Sequence, residues 1–197
     1  MKKLLIAASL CAVSAAAGPA LAGNSLIAAG SQAKVAGASI SARPDGEWNR
    51  LGMKLGKNTE VWTLDGPELN KITFYGGIPV GQPLFKELDK KQKPLPRVSS
   101  NMLITDIPAI LENSYRSQFN ATQMSIDSQE PAIVSGHKGV TFTYSYARQE
   151  DEVQRKGEAY GAMVGNKLYL IAYEAPALHF FDKDVGKFRR LAQTLKF

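Results

Sequence analysis

Few residues in this chain could carry out chemistry. His137 and His179 are the only histidines, and a zinc centre needs three or four spaced ligands that their surroundings do not supply. Ser135-Gly136-His137 sets a hydroxyl beside an imidazole, too locally for a Ser-His-Asp relay, and there is no G-x-S-x-G elbow. Glu150, Asp151 and Glu152 form a carboxylate run without the alternating spacing and fixed glycine of a calcium loop, so they read as a solvated hairpin tip. Glu158 and Glu174 are candidates for paired acid–base work. Glu158 lies on an expected strand, where burial would demand a partner such as Arg155 or Lys156. Asn120-Ala121-Thr122 matches a glycosylation sequon, which a bacterial-type leader argues against. No glycine-rich phosphate loop occurs. The expectation is a non-catalytic protein with no metal and no cofactor.

The better lead is a basic segment. Residues 76–101 are long and turn-rich, and they set Lys86, Lys90, Lys91, Lys93 and Arg97 against Glu87 and Asp89. Near an anionic surface each basic residue contributes roughly 1 kcal/mol, so the local excess amounts to about 3 kcal/mol. Millimolar binding already needs about 4 kcal/mol, so apolar contacts from Phe85, Leu88 and Leu95 must help. Phe85, Lys86, Leu88, Lys90, Lys91, Lys93 and Arg97 are therefore the candidate partner-binding residues, and Trp48 and Trp62 the candidate lining of a ligand pocket. The alternative for the segment is a solvated loop, and for the tryptophans a place in the core.

These residues need a scaffold, and the strongest pattern lies at Lys138–Phe197. Val140, Phe142, Tyr144 and Tyr146 alternate with Thr141, Thr143 and Ser145, the period-2 mark of a half-buried strand. A second strand falls within residues 152–164 and a third, nearly all apolar, within 167–173. Gly165-Asn166 joins them as a tight hairpin. A helix follows Pro176, with Phe181, Val185, Phe188, Ala192 and Leu195 on one stripe. Upstream, a second helix is expected over 106–119, with Pro108 in its first turn and Ile107, Ile110, Leu111, Tyr115 and Phe119 on its apolar face. Short strands are expected at 36–42, 59–64, 69–75, 122–127 and 132–135. Residues 23–35, rich in Ala, Gly and Ser, read as a mobile lead-in.

Met1-Lys2-Lys3, an apolar run from Leu4 to Ala17, and Ala20-Leu21-Ala22 read as a secretory signal peptide over residues 1–22. Acylation of Cys11 is the weaker reading, because Leu10 stands where a small residue is wanted. Cleavage would remove the only cysteine, excluding disulfides and thiol chemistry. Two of the 24 basic residues lie in the leader, so with 18 acidic residues the mature chain carries +4. That charge is far from the dense patches of nucleic-acid binders, so no nucleic acid is expected. No transmembrane helix is expected after cleavage, and the destination is periplasmic or secreted.

Ser39-Ile40-Ser41-Ala42-Arg43-Pro44-Asp45-Gly46-Glu47-Trp48 resembles the opening strand, proline turn and tryptophan of the PsbP-like superfamily. That superfamily contains the photosystem II extrinsic protein, a Ran-binding import factor and small exported bacterial proteins. The later order, Gly136–Tyr146, Gly157–Val164, Leu168–Ile171 and Phe181–Leu195, is similar too, and Trp48-Asn49-Arg50 with the Leu64-Asp65-Gly66-Pro67 turn is similar to an exported bacterial group. The resemblance implies one domain over 36–197, of α+β class. It would hold an antiparallel sheet of about six or more strands flanked by helices as an α/β/α sandwich, with 76–101 as an insertion. It also implies an accessory or binding role, and with the basic segment the expected partner is a protein or an anionic envelope component. The alternatives are an envelope hydrolase assembled from distant residues and a small-ligand carrier.

Overall fold

The computed structural model describes residues 23–121, 123–149, 151 and 153–197. The expected leader over residues 1–22 with Cys11, Thr122 of the sequon pattern, and Glu150 and Glu152 of the expected hairpin tip lie outside the described residues.

Alternating and continuous apolar runs become the long strands β7 (Ser125–Val134), β8 (His137–Tyr146), β9 (Arg155–Val164) and β10 (Lys167–Pro176). The Gly165-Asn166 hairpin forms as expected: both residues take positive φ, 55° and 61°, which matches the right-handed twist of the flanking strands. Ser135 and Gly136, at 52° and 80°, make the equivalent turn between β7 and β8, and Val134 faces His137 across it. The two short strands expected at 122–127 and 132–135 are thus one, β7. Pro131 made the run look broken. In the fold it stands on a sheet edge, where a missing N–H donor leaves no ladder bond unmade.

The earlier part of the chain supplies β1 (Ser25–Ile27), β2 (Ala33–Val35), β3 (Ile40–Ala42), β4 (Trp48–Leu51), β5 (Thr59–Thr63) and β6 (Lys71–Pro79). Among the described residues, eight strands form one antiparallel sheet in the order β1-β4-β5-β6-β10-β9-β8-β7, and β2-β3 form a separate pair. Two expectations are corrected here. Residues 23–35 are not a free lead-in: Ile27 pairs with Trp48, Val35 pairs with Ile40, and Ile27, Ala33 and Val35 are buried. Gly76–Pro79 is sheet and not insertion, because β6 continues beside β10 as far as Pro79 facing Lys167.

Among the described residues two α-helices pack on the sheet within a single domain: α1 (Ile107–Phe119) and α2 (Phe180–Ala192). Along β10, side chains enter two clusters in turn. Leu168, Leu170 and Ala172 join Ile107, Leu111 and Tyr115 of α1. Ile171, Tyr173 and Ala175 join Phe181, Val185 and Phe188 of α2. The stripe read for the last helix is buried throughout, with Leu191 added and Leu195 just beyond the helix end.

Glu174 of β10 stands between Lys71 of β6 and Gly157 of β9, and side chains of α1 and, across β9, of β8 reach it. It is fully buried, and it accepts hydrogen bonds from Tyr115 and Tyr146 at 2.5 Å and from Tyr144 at 3.3 Å. Lys71 closes the set at 2.7 Å. Burial pushes the carboxyl's pKa up, but Lys71 and the tyrosine hydroxyls overcome this and hold it below the ordinary range. A carboxylate whose folded-state value is lowered contributes its stability above the unfolded value, about 4.3, and loses it as pH falls toward the folded value. Glu174→Gln should therefore destabilise the protein by about 3 kcal/mol near neutral pH, since it strands the buried ammonium of Lys71. The gap to wild type should narrow below about pH 4.3. Urea denaturation across pH checks both points, and a gap independent of pH would contradict the ion pair.

Candidate functional site: a lysine-lined cleft

Thr59 faces Tyr75 across β5 and β6, so the chain entering β5 and the chain leaving β6 emerge at the same end of the sheet. Residues 52–58 form one wall there and residues 80–98 the other. The second wall has no helix or strand of its own, yet it is fastened in three ways. Leu84, Phe85, Leu95 and Val98 are buried, and the Phe85 ring packs against Tyr75, Tyr115 and Phe119 at 5.9, 5.7 and 5.1 Å. Backbone bonds tie Gly81 to Val98 and Val98 to Gln82, at 2.8 and 3.0 Å. Arg97 grips the Gly81 carbonyl at 2.8 Å and both Glu87 carboxylate oxygens at 2.8 and 2.6 Å.

The walls meet at the Lys86 amide, which donates to the Leu55 carbonyl at 2.7 Å, and at Gly56. A Cβ on Gly56 would lie 2.5 Å from the Leu84 carbonyl oxygen, so only glycine allows this approach. Between the walls lies a cleft of about 770 Å³. Ile78, Pro79, Pro83 and Phe85 give its apolar surface, and Asn58 and Gln82 contribute amides. Four lysines complete it: Lys54 and Lys57 from one wall, Lys86 and Lys90 from the other. All four are exposed. Among the described residues none of the four is in an ion pair, and the one lining carboxylate, Glu87, is engaged by Arg97. Burial raises the Glu87 carboxyl, but the Leu95 amide and the Arg97 guanidinium outweigh it and keep the group below its ordinary value. Glu87 therefore stays charged and balances Arg97, leaving the lysines as a net positive rim. Ammonium groups over apolar surface can bind and orient an anion.

The cleft gathers part of the expected partner-binding set and divides the rest. Phe85, Lys86 and Lys90 line it. Phe85 contributes from the core, 2% exposed, and is an anchor before it is a contact. Leu88, Lys91 and Lys93 are exposed but stand outside the lining. Arg97 is committed to Glu87 and Gly81. Trp48 and Trp62 are not in the cleft's lining: they are 1% and 0% exposed, packed in the α2 cluster. Trp62 sits edge-on to Phe74 at 4.8 Å and donates its indole N–H to Glu60 at 2.8 Å, so a filled core stands where a pocket was expected. Among the lining residues that sequence reasoning missed are the polar ones Lys54, Lys57, Asn58 and Gln82. The only hint was two lysines in Gly52-Met53-Lys54-Leu55-Gly56-Lys57-Asn58, and their relevance depends on the β5–β6 register.

The other candidates fall elsewhere. His137 stacks on Phe197 at 5.9 Å. His179 is exposed just before α2, with a positive φ of 70°. Glu158 pairs with Arg189 of α2 at 2.7 Å and not with Arg155 or Lys156. Arg155 instead binds Glu68 and Asp151 at 3.0 and 3.3 Å. Glu174 and Glu158 are both buried, Glu174 enclosed by its tyrosines and Glu158 covered by Arg189.

No family model matches the chain, and no curated protein matches it. Among solved structures it is similar to the cyanobacterial PsbP of Synechocystis, at 17% identity over 93% of this chain and 97% of that one, with a TM-score of 0.49. A Pseudomonas aeruginosa protein of unknown function matches at 10% identity over 79% and 94%, with a TM-score of 0.48. The Ran-binding protein of Saccharomyces cerevisiae matches at 8% identity over 87% and 94%, with a TM-score of 0.44. Likeness at this level concerns the path of the chain and transfers no residue role.

The Gly56 contact makes the cleft's shape testable. Gly56→Val should cost about 1–3 kcal/mol through overpacking and should speed hydrogen exchange at the Lys86 amide, whose bond to Leu55 crosses the same junction. Gly46, where a Cβ meets nothing within 4 Å, is the control: Gly46→Ala should stay within about 0.5 kcal/mol of wild type. Equal effects at the two sites would contradict the close approach.

Proposed function

We propose that this chain is an exported, non-catalytic binding protein whose recognition site is the lysine cleft and whose target is an anionic group of an envelope component. The observation that carries the reading is the convergence of Lys54, Lys57, Lys86 and Lys90 on one apolar-floored cleft with no ion-pair partners among the described residues. Unpaired like charges repel one another, and a bound anion relieves that repulsion. Export rests on the basic and apolar leader and the small residues at 20–22. Among the described residues no helix is long and apolar enough to cross a membrane. An accessory role, and an α/β/α layering of the domain with one helix cluster on each sheet face, belong to the same reading. The layering is supported by the alternation of β10 side chains between the α1 and α2 clusters.

The carrier alternative is favoured by one observation: a volume of about 770 Å³ falls in the range of small-molecule sites, about 300–1,000 Å³. It places the ligand in a basic cleft at the sheet's end and not between sheet and helix, where the core is filled.

The test is sedimentation of the mature protein with envelope membranes from the producing cells at low and high salt. Lys54, Lys57, Lys86 and Lys90 replaced together by Glu should abolish a salt-sensitive association, with circular dichroism unchanged. Lys91→Glu with Lys93→Glu, outside the cleft, should lower it by no more than about twofold. Equal loss in the two variants would reassign the effect to general basicity, and no loss in either would sink the cleft as the site.

A further inference from the structure

The cleft combines two surfaces with different demands. Its rim presents four ammonium groups, and its base is formed by Phe85 and Ile78, with Pro79 and Pro83 at the sides. Pro79 is exposed and Pro83 half-buried, so ring carbons remain in contact with water when the cleft is open. A bare inorganic anion would satisfy the rim and leave that surface wet. An uncharged apolar molecule would dry the base and desolvate the ammonium groups without compensation, which is unfavourable. A flat anionic membrane surface would meet the exposed lysines but could not enter a recess between two walls.

We infer that the cleft takes a small amphipathic anion: one phosphate or carboxylate head bound by the lysines from both walls, and one apolar chain lying along Pro79 and Pro83 toward Phe85. This rests on the binding role proposed above and specifies the ligand of the same site. Lysine suits such a head because a compact ammonium acts as a point charge without demanding a fixed fork geometry. The site is also pre-organised: the Glu87–Arg97 pair and the buried Phe85 fix one wall, while Gly56 and the Leu55–Lys86 bond set its distance from the other. Little ordering is then left for the ligand to impose.

The experiment is calorimetric titration of the mature protein with four probes: octyl phosphate, butyl phosphate, inorganic phosphate and octyltrimethylammonium, the two octyl amphiphiles below their micelle concentrations. Octyl phosphate should bind saturably and at least about tenfold more tightly than inorganic phosphate. Affinity should rise from butyl to octyl by up to about fourfold per methylene. Octyltrimethylammonium should fail to bind. Lys57→Glu with Lys86→Glu, one residue from each wall, should abolish octyl phosphate binding, whereas Lys91→Glu should leave it within about twofold.

Inorganic phosphate binding as tightly as octyl phosphate would overturn the inference in favour of a free-anion site. Equal binding of the cationic amphiphile would overturn it in favour of unspecific apolar contact. Phosphatidylglycerol vesicles separate a free amphiphile from a lipid head in a bilayer: octyl phosphate should compete with any vesicle binding, and vesicle binding that it leaves untouched would place the anion site outside the cleft. If octyl phosphate fails while the four-lysine reversal still abolishes envelope sedimentation, this inference falls and the proposed function stands. If sedimentation also ignores the reversal, both fall.

Discussion

A single buried carboxylate organises this domain. Glu174 on the central strand β10 would be destabilised by several kcal/mol if it stood alone in the core. Its burial therefore obliges Lys71, Tyr115, Tyr144 and Tyr146 to converge on it. Those partners come from β6, α1 and β8, so one electrostatic requirement fixes the relative placement of four elements. The consequence reaches the cleft. Tyr115, held by Glu174 through its hydroxyl, packs its ring against Phe85 at 5.7 Å, and Phe85 is the anchor of the wall that carries Lys86 and Lys90. A chain of contacts thus runs from a closed ion pair in the core to an open row of lysines at the end of the sheet.

The rest of that wall shows how irregular backbone can be rigid. Residues 80–98 gain order from tertiary bonds: a guanidinium that spans Gly81 and Glu87, and apolar side chains driven into the α1 cluster. Asp89 adds a local turn by accepting from the amides of Lys91 and Gln92, each at 3.0 Å. The lysines project from a braced frame, which suits recognition that has to avoid a large ordering cost. Arg97, the guanidinium bonded to the lining residue Glu87, is used internally.

Much of this was legible in the residues, for identifiable reasons. The β8–β10 meander and the α2 stripe follow from periods long enough to repeat several times, and Gly165-Asn166 marks a turn whose φ values few other dipeptides adopt. β3 falls within the expected 36–42 run, but β1 and β2 have three residues each, too few for a period to emerge, and their Ala-rich surroundings hid a close fit. A Cβ on Gly76 would lie 2.6 Å from Ala36, so small residues there mark packing and not mobility. β7 was split because Pro131 disrupts a central strand but not an edge. At the cleft, the local lysine excess flagged Lys86 and Lys90. Lys54 and Lys57 could not be found without the β5–β6 register, and Trp48 and Trp62 misled because aromatic residues look the same in a core and in a pocket until burial separates them.

The central claim is that the lysine cleft, and no other part of this surface, receives an anion-headed ligand. Amide-resolved NMR of the isotope-labelled protein during titration with a monoalkyl phosphate tests it most directly. The account predicts shift changes concentrated at Lys54–Asn58 and Ile78–Lys90, with the Trp62 indole N–H, bonded to Glu60 in the core, unmoved. Changes centred on the α2 surface or at the Trp62 indole, with the cleft amides silent, would contradict it.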